Sequence, residues 1–552
     1  MSETELRFTI RRLRDNDPTL TTLDLRDING SRSYVFESGD DILHELIDAL
    51  STNTTVHTVS IVLRFLHKLT TEEKVVVFRS IGSLPNLKEL RIASMGFANV
   101  ALKLVNEVLV ASASSSKKQG DENQGGLEVL TLQSMQYRGK IYYDTLAEGN
   151  TYTRELQDFL ESLKGLKDLK AFSFQDAQMT FDLNALVLRG LASMTSLRKI
   201  SINSHEFPDY ARLSVESLAA LANLPKLEWL SLRRLQLGIL LPSFLRAVTN
   251  HPCLEFLILE QNMIGAGCAI ALGELLRQNT NGLKGVYLAY NMIPDHIGAA
   301  IADALSQNTS IVEFDIAANE IGRFSCEAFA RTLASPTSAL QFLNLSQHTL
   351  PADGITEIAT ALRGNTKLKS LALMEVQMTE ESGIEIANAL KENATLERLN
   401  VSDNRLGDLT CAEFAIVLKT NTTLKSLNFC SNRIGNIGAI LLADALLVNH
   451  NTTLEQLNLV NNHSMGLVAY EAFEIMIQEN TTLQHLWLPT ILPESTIPSY
   501  VRMNKLGRKQ LLQEMDNASK WSNAIFECQD DLIALYCLIR ANPNVVSWLQ
   551  QQ

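Results

Sequence analysis

Apolar residues recur along the chain in one fixed pattern. The stretch from Leu254 reads LEFLILEQNMIG and the stretch from Leu283 reads LKGVYLAYNMIP, so both fit the template L-x-x-L-x-L-x-x-N-x-I. The alternation of apolar and other residues within the template predicts a short β-strand. Sixteen such frames begin at residues 20, 56, 87, 127, 169, 197, 227, 254, 283, 311, 340, 368, 396, 424, 454 and 483. The later frames start about 28 residues apart, whereas the earlier ones are spaced irregularly.

The second half of each regular frame predicts an α-helix. Between Asp295 and Asn308 the apolar residues Ile297, Ile301 and Leu305 follow one another at helical spacing. An Asn-Thr pair then leads into the next frame. No single strand–helix unit can bury its own apolar face, so the units must stack side by side into a solenoid.

This pattern is that of the leucine-rich repeat. Repeats of this length with a full helix resemble the ribonuclease-inhibitor-like class, which also occurs in NOD-like receptors and Ran GTPase-activating proteins. The resemblance is close over roughly residues 169–490 and looser over 20–168. It implies an α/β solenoid, a horseshoe of about 16 strand–helix repeats with a C-terminal helical cap. It implies little about function, because one fold serves many functions.

The ninth template position is an asparagine in most regular frames. Its side-chain amide can bond backbone groups in the turn after the strand, which burial would otherwise leave unpaired. We expect this structural ladder at Asn262, Asn291, Asn319, Asn404, Asn432 and Asn462. The ladder is interrupted by His348 and Val376. The five frames before it hold Met95, Met135, Ala177, His205 and Leu235. The N-terminal half must therefore satisfy its turns differently, and we expect it to be less regular.

These differences divide the chain into three regions. Residues 1–168 are predicted to form irregular repeats with a disordered loop at about 111–126, because ASASSSKKQGDENQGG is rich in serine, glycine and charge. Residues 169–490 are predicted to form the regular repeats. The insertion at residues 135–163 contains several tyrosines. It is either a binding loop or a longer connection that packs on the edge of the solenoid.

Residues 491–552 are predicted to form helices that cap the last repeat. Three prolines end the repeat pattern after Leu488, and the segments 501–515, 520–529 and 531–542 have helical character. A terminal repeat needs such a cap, with a polar outer face. The apolar inner side would come from Leu506, Leu511, Leu512, Trp521, Phe526, Leu532, Leu535 and Tyr536. A short partner-binding segment is the alternative to this structural role.

The charge of the chain restricts its partners. Lys and Arg number 48 and Asp and Glu number 61, so the net charge is 48 − 61 = −13 with histidine neutral. Nucleic acid and anionic membranes require a basic footprint, so we expect neither as a partner. An acidic surface suits a basic protein partner, or it serves solubility alone.

Composition also bears on the cellular compartment. The seven cysteines show no Cys-x-x-Cys pair. This predicts reduced thiols in the cytoplasm or the nucleus rather than a disulfide framework. The N-terminal segment MSETELRFTI lacks the apolar core of a secretion signal, and no apolar run approaches the ~18–20 residues that cross a membrane. We therefore expect a cytoplasmic or nuclear protein that is not secreted.

No catalytic signature stands out from the repeats. The sequence contains no Gly-x-x-x-x-Gly-Lys-Ser/Thr, Gly-x-Ser-x-Gly or His-Glu-x-x-His motif. The ten histidines are scattered, and no group of His and Cys has the spacing of a metal site. We therefore predict that the protein is not an enzyme, with no catalytic residues, no cofactor and no metal.

A partner is expected on the concave face of the sheet. Side chains alternate in a strand, so the third, fifth and seventh template positions line that face. Several of these positions hold aromatic or acidic residues, although aromatics make up only 6% of the chain. The candidate partner-binding residues are Trp229, Arg233, Phe256, Ile258, Glu260, Tyr287, Tyr290, Glu313, Asp315 and Phe342. Trp, Tyr and Arg anchor many interfaces, yet aromatic rings can also simply pack on one another within the sheet.

These observations favour a protein–protein interaction scaffold, which we expect to be a monomer. The alternative is a GTPase-activating protein of the Ran type, which the resemblance also allows. Such activators place polar side chains on the nucleotide site of a GTPase, and the candidates here are Arg233, Arg234 and Asn262. That family usually ends in an acidic tail, whereas residues 493–552 hold six basic and six acidic residues.

Overall fold

The computed structural model describes residues 3–25, 36, 41–94, 99–118, 126–134, 149–176, 187–204, 215–278, 282–447, 451–489 and 495–546. The chain divides into two compact units, Met1–Val286 and Tyr287–Gln552. Each unit is described by itself below. Strand β9, Gly285–Tyr287, crosses the boundary between them.

The first unit alternates strands and helices. Its strands are β1 Thr22–Leu25, β2 Thr58–Val62, β3 Glu89–Ser94, β4 Val129–Ser134, β5 Ala171–Asp176, β6 Lys199–Ser204, β7 Trp229–Arg233 and β8 Phe256–Ile258. Its helices are α1 Glu3–Arg14, α2 Asp41–Thr52, α3 Thr71–Gly82, α4 Asn99–Lys118, α5 Gly149–Lys164, α6 Val215–Leu221, α7 Leu241–Val248 and α8 Ala269–Gln278. Short 3₁₀ turns lie at Leu63–Leu66, Gly238–Leu240 and Ala266–Cys268. The strands from β1 to β8 pair in parallel and in chain order.

The second unit continues the alternation with shorter strands. These are β10 Glu313–Asp315, β11 Phe342–Asn344, β12 Ser370–Ala372, β13 Arg398–Asn400, β14 Ser426–Asn428, β15 Gln456–Asn458 and β16 His485–Trp487. The repeat helices are α9 Asp295–Leu305, α10 Arg323–Ala334, α11 Ala352–Gly364, α12 Glu380–Glu392, α13 Asp408–Thr420, α14 Asn436–Ala445 and α15 Leu467–Glu479. Four more helices follow: α16 Ile497–Lys505, α17 Arg508–Gln513, α18 Ala518–Glu527 and α19 Leu532–Ala541. The strands from β10 to β16 again pair in parallel and in chain order.

The apolar template positions lie in register between neighbouring strands. Leu343, Leu371 and Leu399 pair in turn, and each is at most 2% exposed. Aromatic rings from helix and strand meet behind them, as Phe414 and Phe429 do with ring centroids 4.9 Å apart. Stacking thus gives each repeat the apolar burial that it could not obtain alone. The described residues contain sixteen strands, and their alternation with helices confirms the predicted α/β leucine-rich-repeat solenoid.

Asparagines at the ninth template position bond the backbone of the preceding repeat. Oδ1 of Asn404 accepts the N–H groups of Val376 (3.1 Å) and Met378 (2.9 Å), and Nδ2 donates to the carbonyl of Leu373 at 2.8 Å. Equivalent bonds are made by Asn262, Asn319, Asn432 and Asn462. Asn291 donates to carbonyls of its own repeat. One side chain thereby satisfies buried backbone groups of two neighbouring repeats.

A second row of asparagines lies where each helix gives way to the next strand. Oδ1 of Asn393 accepts the N–H groups of Thr395 (3.0 Å) and Leu396 (2.8 Å), while Nδ2 donates to the carbonyl of Leu362 in the preceding repeat at 2.7 Å. The same bonds are made by Asn53, Asn365, Asn421, Asn451 and Asn480. This geometry explains why an asparagine recurs three residues before the start of seven frames, at positions 53, 308, 365, 393, 421, 451 and 480.

One histidine replaces an asparagine in each row. Nε2 of His348 accepts the N–H of Asn319 at 2.9 Å, and its Nδ1 donates to the carbonyl of Leu345 at 2.9 Å. Nδ1 of His251 accepts two backbone N–H groups at 3.0 and 3.2 Å, and its Nε2 donates to the carbonyl of Leu224 at 2.8 Å. Each neutral ring therefore supplies one donor and one acceptor, as an amide does. Burial lowers the pKa of both rings, although bonds to backbone carbonyls act against this.

Polar side chains at the start of one helix also cap the helix of the next repeat. Asp295 accepts the N–H groups of Gly322 (2.7 Å) and Ser325 (2.8 Å) at the start of α10. Asp408 accepts two N–H groups at the start of α14 in the same way. A carboxylate here satisfies otherwise unpaired N–H groups and stabilises the positive end of the helix dipole. Burial alone would raise the pKa of Asp295, but these hydrogen bonds together lower it.

Helices α16–α19 form the predicted cap after β16. Nδ2 of Asn504 donates to the carbonyls of Asn480 and Leu483, both at 3.0 Å, and so continues the second asparagine row. The guanidinium of Arg508 donates to the carbonyl of Ile477 near the end of α15 at 3.2 Å. These bonds satisfy backbone carbonyls that no further repeat would reach.

The interior of the cap differs in part from the prediction. Leu511 and Trp521 are buried as expected. The side chains that complete the core are Met503, Ala524, Ile525, Cys528, Ala534, Leu538 and Val545. The residues that were expected inside but are 40–81% exposed are Leu512, Phe526, Leu532 and Tyr536. The helix predicted over 501–515 is broken at Gly507, whose φ of +81° lies in the left-handed region that glycine adopts readily.

The first unit departs from the loop predicted at 111–126. Helix α4 extends to Lys118, so residues 111–118 are helical rather than disordered. Alanine and serine allow this continuation, and the hydroxyl of Ser114 donates to the carbonyl of Val110 at 2.8 Å. Residues 119–125 lie outside the described residues, as do residues 135–148 of the predicted insertion. The remainder of that insertion belongs to α5.

The two buried histidines predict that the fold loses stability in acid. A histidine has a pKa of about 6.5 in an unfolded chain, and burial lowers this pKa in the fold. The unfolded state therefore binds more protons below about pH 6.5, so the free energy of unfolding falls as the pH drops through that value. We expect His251→Asn and His348→Asn to lose less of this free energy than the wild type between about pH 7.5 and 5. Urea unfolding at the two pH values measures the difference.

The control is His296→Asn, because His296 is exposed on α9. This variant should keep the pH dependence of the wild type. If both buried-site variants also keep it, the histidines do not carry the acid sensitivity.

Candidate functional site

The sheet face of each repeat is formed by the third, fifth and seventh template positions. In the first unit, Trp229 of β7 and Phe256 of β8 are register partners on this face. Their ring centroids lie 4.9 Å apart with the planes tilted by 36°, and both side chains are half-buried. Each ring therefore has an aromatic neighbour within the sheet.

The charged candidates of the first unit form polar pairs. Arg233 and Glu260 form an ion pair at 3.1 Å between a guanidinium nitrogen and a carboxylate oxygen. The guanidinium of Arg234 donates to the side chain of Gln261. Asn262 is fully buried in the ladder. The three residues considered for GTPase activation, Arg233, Arg234 and Asn262, are therefore all engaged within the repeats.

Ile258 is not available to a partner. It is 1% exposed, and its register partner Ser231 on β7 is 3% exposed. Neighbouring strands lie only about 4.8 Å apart, so the large side chains around this position leave no room for solvent. The prediction that Ile258 contacts a partner is therefore wrong, and it belongs to the packed interior.

In the second unit a carboxylate lies between two aromatic side chains. The hydroxyl of Tyr287 on β9 donates to the carboxylate of Glu313 on β10. Phe342 on β11 is the register partner of Glu313. All three side chains are half-buried. We call this set the Glu313 cluster. A neutral hydroxyl orders the carboxylate but leaves its negative charge uncompensated.

Asp315 adds a second negative charge on the same strand. Its Oδ2 accepts Nδ2 of Asn344 at 2.9 Å, and its Oδ1 accepts the N–H of Ala317 at 2.9 Å. These donors are also neutral. The sheet face at β10 is therefore acidic and fixed in geometry by its own hydrogen bonds.

A row of side chains continues the sheet face into the turns. Tyr290 is 49% exposed, and its hydroxyl donates to the side chain of Gln347. The amide of Gln347 in turn donates to Glu375 at 3.1 Å. Ala318, in the repeat between them, is small enough to let Tyr290 reach across. Residues in this row have left-handed backbone conformations with φ between 51° and 61°. Gln347 and Glu375 were not singled out from the sequence. Each lies directly before the ninth template position, and that place in the template could have identified them as surface residues of this row.

The sheet face ends in a stacked pair of rings. His485 and Trp487 of β16 lie with ring centroids 5.2 Å apart and planes 18° from parallel. Burial lowers the pKa of His485, and the charge of Lys505 adds to the effect. Trp487 is 44% exposed, so the cap leaves part of this ring accessible.

No group of three or more His, Cys, Asp or Glu side chains among the described residues is placed to hold a metal ion. None of the helices described is both long and apolar enough to cross a membrane.

Comparison with known proteins relates the repeats to one family. A family model described as "Leucine Rich repeat" matches residues 392–409 and 420–443. The chain is 24% identical over 305 residues to "NACHT, LRR and PYD domains-containing protein 5" of Mus musculus, which covers 53% of this chain and 26% of that protein. The Homo sapiens protein of the same name is 26% identical over 219 residues, covering 39% of this chain and 18% of that protein. The chain thus matches about a quarter or less of the length of these relatives.

Among the solved structures that match this chain are two of low sequence identity. The toll-like receptor in "Crystal structure of TLR13-ssRNA13 complex" has a TM-score of 0.42 and 14% identity, covering 80% of this chain and 53% of that chain. An internalin from Listeria monocytogenes has a TM-score of 0.34 and 18% identity, covering 56% and 80%.

The burial of Ile258 predicts a structural role that can be measured. Replacing this side chain with alanine leaves a cavity, so we expect Ile258→Ala to lower the free energy of unfolding by about 2–5 kcal/mol. Ile239→Ala is the matched control, because Ile239 is 91% exposed in the same unit. The control should change the free energy by no more than about 0.5 kcal/mol. Equal effects in urea unfolding would contradict the burial of Ile258.

Proposed function

Because the chain is a leucine-rich-repeat protein, we propose that it is a scaffold that binds a protein partner on the sheet face of its repeats. Leucine-rich repeats of this kind act in protein–protein interaction. A stacked array presents a preformed surface, so binding costs little ordering of the scaffold. The finer proposal concerns which part of the sheet face is used and what chemistry the partner carries.

The Glu313 cluster is the observation that carries this proposal. Its carboxylate receives a neutral hydrogen bond from Tyr287, and the ring of Phe342 stands on the neighbouring strand. A lysine or arginine side chain of a partner would meet a negative charge and an aromatic ring together. Charge-assisted hydrogen bonds and cation–π contacts both strengthen when water is excluded. The cluster therefore fits a cationic side chain flanked by apolar ones.

The acidic surroundings support the same partner. Asp315 lies on the same strand as Glu313, and Glu375 and the exposed Asp403 lie in the turns of later repeats. Arg398 on β13 is the one Lys or Arg residue within the strands β10–β16. Together with the net charge of −13, this charge distribution would speed the approach of a basic partner.

The candidates of the first unit fit a supporting role better than an anchoring one. The rings of Trp229 and Phe256 already contact each other, and Arg233 already pairs with Glu260. The contacts that Arg233, Arg234 and Asn262 make within the repeats also disfavour the alternative function, activation of a Ran-type GTPase. Such activation would need Arg233, Arg234 or Asn262 to reach a nucleotide. GTP hydrolysis by Ran should therefore be unchanged when this protein is added.

Loss of the aromatic side chains of Tyr287 and Phe342 should weaken partner binding without unfolding the protein. We expect Tyr287→Ala combined with Phe342→Ala to weaken partner binding by at least about 30-fold, because central aromatic anchors contribute about 2 kcal/mol or more. Partners captured from a lysate by the wild type are identified first, and the dissociation constant of each is then measured with purified proteins. The matched control is Phe324→Ala, which removes a 60% exposed ring from helix α10.

The control should bind like the wild type. If the double variant also binds every captured partner like the wild type, at unchanged thermal stability, the sheet face is not the binding site.

The charge of Glu313 should account for the preference for a basic partner. We expect Glu313→Gln to weaken binding by about 10-fold at low salt and to reduce its dependence on ionic strength, since screening acts on charges. Glu320→Gln, an exposed carboxylate in the turn of the same repeat, is the control. Affinities titrated at several salt concentrations test this. A salt dependence that persists in Glu313→Gln and disappears in Glu320→Gln would show that Glu320, and not Glu313, causes the preference for a basic partner.

A further inference from the structure

Three asparagines lie side by side on the sheet face of strands β13, β14 and β15. Asn400 pairs in register with Asn428, and Asn428 pairs with Asn458. Each occupies the fifth template position and is half-buried. Neighbouring strands lie about 4.8 Å apart, so the three side chains form a regular row. We call this set the β13–β15 amide row.

The backbone fixes which end of each amide is available to a partner. In all three residues Oδ1 accepts the backbone N–H two positions further along the chain, at 3.0–3.1 Å. A backbone N–H can only donate, so the atom that accepts it must be the oxygen of the amide. The Nδ2 atoms have no hydrogen-bond acceptor among the described residues, and they are not buried. The row therefore presents N–H donors to a partner.

An amide of the same geometry already binds a carboxylate within this protein. Asn344 occupies the fifth template position of β11, and its Oδ1 accepts the N–H of Ser346 at 3.1 Å. Its Nδ2 donates to Oδ2 of Asp315 on the neighbouring strand at 2.9 Å. In the β13–β15 amide row no described carboxylate of the chain takes the place of Asp315. A carboxylate from outside would complete these three residues as Asp315 completes Asn344.

The charge of the sheet face changes sign within the second unit. Between the third and the tenth template positions, the repeats of β10–β12 contain four acidic residues and no Lys or Arg. The same positions in the repeats of β13–β15 contain three arginines and one aspartate. These are Arg398, Arg405, Arg433 and Asp403, and all four are exposed. The side chains of the three arginines form no ion pair with the described residues.

The acidic residues close to the row do not cancel this positive charge. Glu397, just before β13, pairs with Lys425, just before β14, at 3.1 Å. Glu455 precedes β15, and Asp403 lies in the turn after β13. The three arginines, together with the exposed Lys505 at the end of α16, outnumber these two carboxylates. The surroundings of the row therefore attract an anion, although the whole chain is acidic.

We propose that the β13–β15 amide row binds the carboxylate side chains of an acidic segment of the partner. This inference rests on the proposed function, because it assigns a second part of the same sheet face. A carboxylate has two oxygens, so it can accept from two neighbouring amides at once while Arg398 compensates its charge. A neutral carbonyl or hydroxyl would leave the arginine without a counter-charge, and a nucleic acid would need a longer basic footprint.

The two parts of the sheet face together fix the orientation of the partner. A basic side chain would lie opposite Glu313, and an acidic segment would lie opposite the amide row. A partner bound in the reverse direction would bring like charges together at both places. Complementary charges of this kind contribute more to specificity and register than to affinity.

A peptide of eight glutamates with blocked ends is the probe, because its side chains then supply its only carboxylates. We expect the full chain to bind this peptide at low salt, with an affinity that falls as salt screens the charges. A chain with a net charge of −13 repels such a peptide elsewhere, so binding reports a local site. Fluorescence anisotropy of the labelled peptide gives the dissociation constant.

Asn428→Asp should weaken binding of the glutamate peptide by at least about 10-fold, because it replaces the central donor with a negative charge. The new carboxylate can still accept the N–H of Cys430, so the fold is retained. Arg398→Gln should weaken binding to a similar extent and reduce its dependence on salt. The matched control is Asn523→Asp, which adds the same charge at an exposed position of α18 and should bind like the wild type.

The proposed function and this inference can fail separately. Tyr287→Ala combined with Phe342→Ala should bind the glutamate peptide like the wild type, so failure of the Glu313 cluster leaves this test intact. Three results would overturn the inference. They are a glutamate peptide that does not bind at any salt concentration, equal binding by Asn428→Asp and Asn523→Asp, and tighter binding of an oligouridine of eight nucleotides than of the peptide.

Discussion

Hydrogen bonds between asparagine amides and the backbone of the neighbouring repeat are the interaction on which the rest of the structure depends. A chain that turns twice in each repeat buries many backbone groups outside strands and helices, and each would be costly if unpaired. Asn404 and Asn393 show the solution, because each satisfies groups of its own repeat and of the preceding one. The apolar rows can then pack without leaving polar groups stranded between them.

Much of this arrangement could be predicted from sequence because it is periodic. The template placed the strands, and Ile297 and Ile301 indicated the helix that became α9. The predictions that failed concern features that do not repeat along the chain. Gly507 breaks a helix through its own backbone conformation, and alanine and serine residues after Val110 continue α4, where the hydroxyl of Ser114 bonds the carbonyl of Val110. Neither the helix break nor the continuation of α4 can be predicted from composition.

The candidate site was harder to predict for a related reason. The alternation of side chains assigns a residue to the sheet face but does not say how much of it its neighbours cover. Ile258 and Glu313 occupy equivalent faces, yet the first is 1% exposed and the second is half-buried beside Tyr287 and Phe342. Exposed apolar side chains on the repeat helices, such as Leu409 and Ile437, were not predicted, because apolar residues on a repeat helix are expected to face inward. Exposure follows from packing across repeats, which a single frame cannot show.

The second asparagine row makes the hydrogen bonds between repeats directional, and Asn504 in the cap is its last member. Each member donates to the preceding repeat and accepts from the turn that leads into the following strand. An additional repeat inserted between two others would find its bonding partners already in place on both sides, so such an array can lengthen by tandem duplication without losing a hydrogen bond. At Asn504 a helix follows instead of a strand, and its buried Oδ1 has no partner among the described residues. The number of repeats is therefore set by the cap and not by the repeats themselves.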